Sequence, residues 1–514
     1  MSTSDKNTTI VLVDGCRIPF QKPGTSYRSY RAHDLARFAI RGLLDRTGLD
    51  PALVDRVVLG NVIQDRETSN VAREAALGAG LPATVTAQTV TMSCLSGNLA
   101  ITSAAEAILS GQADVVIAGG TDSASAYLER FPLKKHRALP YLNEFSTGES
   151  MGEYADRLAS LYAVARETQD AYTVRSHQSA VMAFREGMYD GEVVPVTGPP
   201  DFVPVTQENM IRPETTQEAL SLLKPSFNHK FGTVTAANAS NYADGAAAML
   251  LMSEAKAAEL GLKPLARLVS WVYTAGSPKD EMLLGQVSAI PALLAGMDPS
   301  EKGAAKTGTG SVSGTGTAAG GAAGGKAGGS IHPDDIDVFE LQETFAAQIL
   351  AVLDAIAVGG QTHAGSDATA AADEVDAEES ASKSTGKTAG KPSGQTSGET
   401  AAVSIPLKKL NTLGGTLALG HVFGATGVRL VTTAAKRLVR EEGRYALVAG
   451  CSGGGLGHAM LLESMEGPVP DAAKAQKAAK RTTKATASDG TKSQKGTKQT
   501  KKAPAKPKTK PKAK

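Results

Sequence analysis

The sequence predicts an α/β layered protein built from two similar halves, and three observations support this fold class. Short apolar runs that end in glycine alternate with segments of helical periodicity, as buried strands and packed helices do. Part of this pattern occurs twice along the chain. The chain is also long enough, at 514 residues, for two to four domains of about 100–200 residues.

The individual elements follow from the apolar pattern. Runs of four to six residues bounded by glycine or polar residues predict strands, and apolar positions three or four residues apart predict helices. The predicted strands are 57–60, 85–90, 115–120 and 446–450, and the predicted helices include 99–109 and 428–439.

The internal repeat pairs a cysteine with a histidine. Similar strand-like segments begin at Asp55 and at Asp337. Cys94 lies 39 residues after the first, and His421 lies 84 after the second, or 40 when the 44-residue low-complexity segment 360–403 is left out. Cys94 and His421 each precede a glycine-containing helix and a strand. A pseudo-twofold packing of the halves would bring both residues to one site.

Three segments have the composition of loops or tails, because they cannot bury enough apolar area to offset the entropy of ordering them. They are 300–330, with 11 Gly, 360–403, and 467–514. The last holds 14 Lys and one Arg against two Asp, a net charge of +13, so the rest of the chain carries about −11. The predicted domains are an N-terminal half (1–122 and 234–272), a loop domain (123–233), a C-terminal half (273–466) and a disordered tail (467–514).

The cysteines indicate a reducing compartment. Cys16, Cys94 and Cys451 are too far apart for a disulfide framework or for metal-ligand spacing. The N-terminus does not resemble a signal peptide, and no run reaches the roughly 18 apolar residues of a membrane span. We therefore expect a soluble, cytoplasmic protein, in which Cys16 has only a packing role.

The segment 92–98 places Cys94 between a strand and a helix start. The positive end of a helix dipole favours a thiolate, and the small neighbours leave room for a substrate. A buried structural cysteine is the alternative interpretation.

Two glycine-rich segments carry further candidates. His421 has Gly on its N-terminal side and Gly424 close behind it, in a loop where the backbone must pass near another group, although a core histidine is the alternative. Cys451 is followed by the glycine run 453–455, whose N–H groups could hold a ligand oxygen unless the run is an ordinary turn. Gln342 and Glu343 could orient the histidine or hold a water.

Together these segments resemble the thiolase family, over nearly the whole chain outside the low-complexity segments. The resemblance is carried by 93–97, 419–421, 451–457 and 230–245, and residues 69–80 and 149–157 are most similar to the thiolase subunits of the fatty-acid oxidation multienzyme complex. It implies a duplicated five-layered α-β-α-β-α fold with an inserted loop domain, and at least a homodimer. It also implies no metal and no cofactor, with coenzyme A as a substrate.

The resemblance also implies an activity, the CoA-dependent cleavage of 3-ketoacyl-CoA in fatty-acid β-oxidation. Cys94 would be the nucleophile, His421 would activate it, and Cys451 would exchange protons. The supporting residues would be Gly453 at the oxyanion, Gln342 and Glu343 behind the site, and Met151, Ser240 and Phe345 at the CoA or substrate. The chain departs from the family pattern at Val422, where Pro is usual, and at Gln342, where Asn or His is usual.

Three alternatives stay open at this point. The chemistry is reversible, so the enzyme could instead form acetoacetyl-CoA. A ketoacyl synthase-like condensing enzyme shares the fold, but Cys451 in its Cys-x-Gly-Gly-Gly setting favours thiolase. Lastly, the chain could be a non-catalytic scaffold whose tail binds nucleic acid, acidic protein or an anionic membrane, although a solubilising tail is the simpler interpretation. A hydratase/dehydrogenase subunit is a possible partner.

Overall fold

The computed structural model describes residues 8–65, 67–130, 143–296, 319–322, 331–358 and 402–466. The strands are β1 (Ile10–Arg17), β2 (Arg56–Gly60), β3 (Thr86–Val90), β4 (Val115–Asp122), β5 (Gly245–Ser253), β6 (Ala266–Ala275), β7 (Ala319–Ala322), β8 (Ile336–Leu341), β9 (Tyr445–Ser452) and β10 (Leu456–Ser464). The helices are α1 (Ala32–Thr47), α2 (Val71–Gly78), α3 (Ser96–Leu109), α4 (Ala124–Arg130), α5 (Met151–Leu161), α6 (Arg166–Arg185), α7 (Gln217–Ser221), α8 (Glu254–Glu259), α9 (Pro278–Glu281), α10 (Gly285–Ala295), α11 (Ala346–Ala357), α12 (Thr416–Leu419) and α13 (Thr426–Glu441).

The strands form a continuous sheet in which one half repeats the other. The order is β3-β2-β4-β5-β1-β6-β10-β9-β8, with β7 paired to β6. In the first half β2 and β4 are parallel, whereas β4, β5 and β1 are successively antiparallel. In the second half β8 and β9 are parallel, whereas β9, β10 and β6 are successively antiparallel. The halves meet where β1 pairs with β6, which confirms the predicted duplication.

Five layers follow from this arrangement. Helices α1 and α2 cover the outer face of the first half, α10 and α11 cover that of the second, and α3 and α13 lie between them. Because helices cover both faces, β4 is buried throughout, with Val116 and Ala118 facing the central helices and Val115 and Ile117 facing α1. The chain is therefore an α/β protein of the predicted layered class.

The predicted elements are present with small shifts at their ends. The prediction that the glycine-rich segment 300–330 is a loop is wrong for four residues, because β7 lies within it and pairs antiparallel with β6. A ladder of backbone hydrogen bonds does not require large side chains, so composition alone could not exclude it. The rest of 300–330, nearly all of 360–403 and the tail 467–514 lie outside the described residues.

The predicted domain boundaries stay a prediction. The segment 123–233 contains α4 to α7 between β4 and β5. Strand β6 crosses the predicted boundary at 272 and pairs with β10 along its whole length, from Ala266 to Ala275. Within the part of the chain that is described, no helix combines the length and the apolar character that crossing a membrane requires.

Candidate active site

One pocket brings together residues from both halves and from the segment between them. It contains about 640 Å³ of space free of protein atoms, part of which is open to solvent. Its lining includes seven residues selected from the sequence: Cys94, Met151, Ser240, Phe345, His421, Cys451 and Gly453. It also includes residues that sequence reasoning missed: Val62, Ser93, Tyr242, Leu283, Thr344, Phe423 and Ser452.

Cys94 lies in a tight turn between β3 and α3. The hydroxyl of Ser96 accepts a hydrogen bond from the N–H of Met92 (2.7 Å) and donates one to the carbonyl of Ser93 (2.6 Å). Ser93 has φ +46°, a left-handed conformation that is unfavourable for a residue with a side chain. The Ser96 hydrogen bonds hold this strained turn, which aims Cys94 into the pocket.

The resting state of Cys94 differs from the expectation of a thiolate. Burial raises the pKa of this thiol, and the negative charges of Cys451, when ionised, and Asp122 raise it further. The N–H of Cys94 itself acts in the opposite direction. The predicted position at a helix start is correct, but the predicted thiolate is wrong, because desolvation outweighs the helix dipole.

His421 is buried in the loop before α13. Its Nδ1 lies 2.7 Å from the hydroxyl of Thr426, and its ring meets Phe423 edge to face at 4.9 Å. Burial, reinforced by the positive charge of Arg429, lowers the pKa of His421 to about 3. The imidazole is therefore neutral at pH 7 and can accept a proton.

Gln342 lies behind the pocket and contacts His421 directly. Its side-chain nitrogen is 3.4 Å from Nε2 of His421 and 3.1 Å from the hydroxyl of Thr344. The side chain of Gln342, which is longer than the Asn that is usual at this position, thus reaches the histidine. Val422, the other departure, is fully buried, and its carbonyl accepts the first hydrogen bonds of the turn that leads into α13.

Glu343 also lies outside the pocket lining. Its carboxylate accepts hydrogen bonds from Tyr172 (2.9 Å) and Ser176 (3.0 Å) of α6, from the amide of Asn411 (2.6 Å), and from the N–H of Leu417 (3.4 Å). Glu343 therefore fixes the loop that carries His421 and does not contact the histidine itself.

A second buried carboxylate, which sequence reasoning missed, holds the other end of that loop. Asp122 accepts hydrogen bonds through Oδ2 from the N–H of Gly424 (2.6 Å). Its Oδ1 accepts from the N–H groups of Val62 (2.9 Å) and Ile63 (2.7 Å) and from the amide of Asn61 (2.9 Å). Burial raises the pKa of Asp122 to about 6. An acidic residue at the end of the wholly buried strand β4 was the available signal.

Cys451 is buried near the end of β9. Burial raises the pKa of this thiol to about 12, while a hydrogen bond with the Thr344 hydroxyl lowers it somewhat. The glycine turn that follows places Gly453 in the pocket wall. The next N–H, of Gly454, already donates to the carboxylate of Glu144 (2.7 Å). Both thiols are thus protonated at rest, and a neutral imidazole lies in the same pocket.

The described residues include no group of three or more His, Cys, Asp or Glu that could hold a metal ion. The chemistry available in the pocket is thiol addition to an electrophilic carbonyl with proton transfer among Cys94, His421 and Cys451.

Comparison with known proteins gives consistent matches. Residues 10–255 match the family described as "Thiolase, N-terminal domain", and residues 323–464 match "Thiolase, C-terminal domain". The chain is 41% identical to the mitochondrial trifunctional enzyme subunit beta of Bos taurus, over 88% of each chain. It is 34% identical to the 3-ketoacyl-CoA thiolase of Yersinia enterocolitica, over 88% of this chain and 96% of that one. The crystal structure of human mitochondrial 3-ketoacyl-CoA thiolase superposes with a TM-score of 0.69 at 26% identity, covering 90% of this chain and 100% of that one.

Proposed function

Because the chain belongs to the thiolase family, we propose that it is a 3-ketoacyl-CoA thiolase, an acyltransferase of fatty-acid β-oxidation. It cleaves 3-ketoacyl-CoA with CoA to give acetyl-CoA and an acyl-CoA shortened by two carbons. The observation that carries this proposal is the meeting of Cys94, His421 and Cys451 in one pocket.

In the first half-reaction the Cys94 sulfur attacks the 3-keto carbon while its proton passes to His421. The ketone oxygen becomes an oxyanion, for which the pocket offers backbone N–H groups at Cys94 and Gly453. The C2–C3 bond then breaks, which leaves an acyl-Cys94 thioester and the enolate of acetyl-CoA. Cys451 gives its proton to the enolate carbon, and acetyl-CoA leaves.

In the second half-reaction a new CoA loses its thiol proton to the Cys451 thiolate and attacks the acyl-Cys94 carbonyl. Collapse of the tetrahedral intermediate expels the Cys94 thiolate, which takes the proton back from His421. Both thiols and the imidazole return to their neutral starting forms. The cycle consumes CoA as a substrate and requires no separate cofactor.

The assembly and location are part of the proposal. Strand β3 is a partly exposed edge strand that leads into the Cys94 turn, and such strands pair readily with another chain. This supports a homodimer, which light scattering of the purified protein tests. The relative named as a trifunctional enzyme subunit supports association with a hydratase/dehydrogenase subunit.

We also propose a cytoplasmic location, which agrees with the free thiols. Cell fractionation tests this location against the mitochondrial one in that relative's name.

The test is CoA-dependent acetyl-CoA formation from 3-ketoacyl-CoA substrates of several chain lengths. The wild-type protein should form acetyl-CoA and the shortened acyl-CoA in equal amounts, and Cys94→Ala should form neither. A folded wild-type protein that releases no acetyl-CoA from any chain length would contradict the proposal.

A further inference from the structure

We propose that Thr426 is a positioning residue that holds His421 in the tautomer with its proton on Nδ1, which leaves Nε2 unprotonated as the base. This inference rests on the proposed function, because the tautomer matters only if His421 accepts the Cys94 proton. Thr426 is fully buried at the first position of α13 and does not line the pocket, so it acts through the histidine.

The hydrogen-bond partners of the Thr426 hydroxyl determine which nitrogen carries the proton. The hydroxyl lies 2.8 Å from the carbonyl oxygen of Val422 and 2.7 Å from Nδ1 of His421. A carbonyl oxygen can only accept, so the single hydroxyl proton points to Val422. The hydroxyl oxygen must therefore accept from His421, which places the proton on Nδ1. The opposite tautomer would leave two oxygens 2.8 Å apart with no proton between them.

The other ring nitrogen has surroundings that agree with this assignment. The amide nitrogen of Gln342 lies 3.4 Å from Nε2 of His421 and donates a hydrogen bond to the hydroxyl of Thr344. An amide N–H group faces an unprotonated ring nitrogen favourably and a protonated one unfavourably. Two independent contacts, one on each side of the ring, thus select the same tautomer.

The surroundings of the His421 ring also explain why it passes its proton on. The ring lies at the N-terminus of α13, where the helix dipole disfavours a cation, and the guanidinium of Arg429 follows within the first turn. The imidazolium is therefore unstable once formed. Such a base accepts the Cys94 proton during attack and returns it when the Cys94 thiolate leaves.

Three variants test the proposal. Thr426→Val keeps the shape but removes the hydroxyl, and should lower kcat roughly 10–100-fold with KM changed by less than about threefold. Thr426→Ser restores the hydroxyl and should recover most of kcat. Thr432→Val is the matched control, because Thr432 is buried on the same helix and its hydroxyl has no hydrogen-bond partner in the described structure.

The tautomer itself is measured by nitrogen NMR of protein labelled at histidine, and the His421 signals are assigned by comparison with the His421→Gln variant. This measurement needs no substrate, so it stays informative even if the proposed function fails. The wild type should show a protonated Nδ1 and an unprotonated Nε2, and Thr426→Val should show a mixture. A wild-type His421 protonated on Nε2 would overturn the proposal. So would a folded Thr426→Val variant with at least half of the wild-type kcat, or a Ser variant as impaired as the Val variant.

Discussion

The thiol of Cys94 is subject to two opposing effects. The dipole at the start of α3 stabilises a thiolate by about 0.3–1 kcal/mol, which is less than one pKa unit at about 1.4 kcal/mol per unit. Burial shifts a pKa toward the neutral form, by up to about 3–5 units for a fully buried group, and Cys94 is partly buried. Burial therefore decides the direction for Cys94, and the proton must leave during catalysis rather than before it.

The first prediction concerns the pH dependence of Cys94 alkylation by iodoacetamide. Because the pKa of the thiol is raised, the thiolate fraction should rise about tenfold per pH unit across pH 7–9 without a plateau. Alkylation at Cys94 is measured by peptide mass spectrometry, with Cys94→Ser as the control. A rate that levels off below pH 8 would show an activated thiolate and contradict the resting state described above.

The second prediction separates the two thiols of the site. Cys451→Ala removes the proposed proton donor, so turnover should fall about 10²–10⁴-fold. Acyl-Cys94 should still accumulate on long incubation and be seen by intact mass. Cys16→Ala is the control, because Cys16 is buried in the outer core, where it donates to the carbonyl of Ala39. Turnover of Cys451→Ala within threefold of wild type would remove Cys451 from the mechanism.

At the scale of elements, two buried carboxylates hold the loop that carries His421. Glu343 binds the N–H of Leu417 on one side of the histidine, and Asp122 binds the N–H of Gly424 on the other. The first carboxylate belongs to the C-terminal half and the second to the N-terminal half. The position of the His421 imidazole therefore depends on both halves.

The third prediction follows from the geometry of Asp122. In Asp122→Asn the amide oxygen should take the place of Oδ1, which accepts three hydrogen bonds in the wild type. The new NH₂ group should then face the N–H of Gly424, so that two donors meet and that hydrogen bond is lost. The loop should loosen next to His421, and kcat should fall about tenfold with a loss of roughly 1–3 kcal/mol in the free energy of unfolding.

Asp244→Asn is the matched control for that variant. Asp244 is also buried with its pKa raised to about 6, but it accepts hydrogen bonds from the N–H groups of Ala124 and Ser125 and from the hydroxyl of Ser125. Unlike an N–H group, that hydroxyl can accept from the new NH₂ group. Its kcat should stay within about threefold of wild type. Equal losses in both variants would show a general effect of removing a buried charge.

The sequence was sufficient for the elements and for selecting Cys94, His421 and Cys451, which the structure brings to one pocket, while their catalytic roles stay predictions. Glycine-bounded apolar runs identified β2, β4 and β9, and the repeat placed Cys94 and His421 at equivalent positions before α3 and α13. Asp122 gave a signal only as an acidic residue at the end of a buried strand, and Thr426 gave none, because the partners of both side chains depend on contacts formed only after folding. The protonation of Cys94 was missed for the same reason, since burial depends on the packing of both halves.

At the scale of the whole molecule, the site exists only because the two halves approach at their central helices. A Cβ atom added to Gly97, three residues after Cys94, would lie 2.7 Å from the carbonyl oxygen of Gly424, three residues after His421. A Cβ added to Gly427 would lie 2.8 Å from the backbone nitrogen of Asn98. The helix starts touch backbone to backbone, which leaves no room for a methyl group.

The last prediction tests this close approach. Gly427→Ala should force α13 away from α3, with an overpacking loss of about 1–3 kcal/mol in the free energy of unfolding. Cys94 and His421 should then separate, and a shift near 1 Å lowers a rate by about 10²-fold. Gly191→Ala is the control, because nothing lies within 4 Å of its added Cβ. Thermal unfolding and kcat are measured on both variants. If Gly427→Ala matched the control in kcat, the geometry of the site would be set within each half, and the contact between the central helices would serve stability alone.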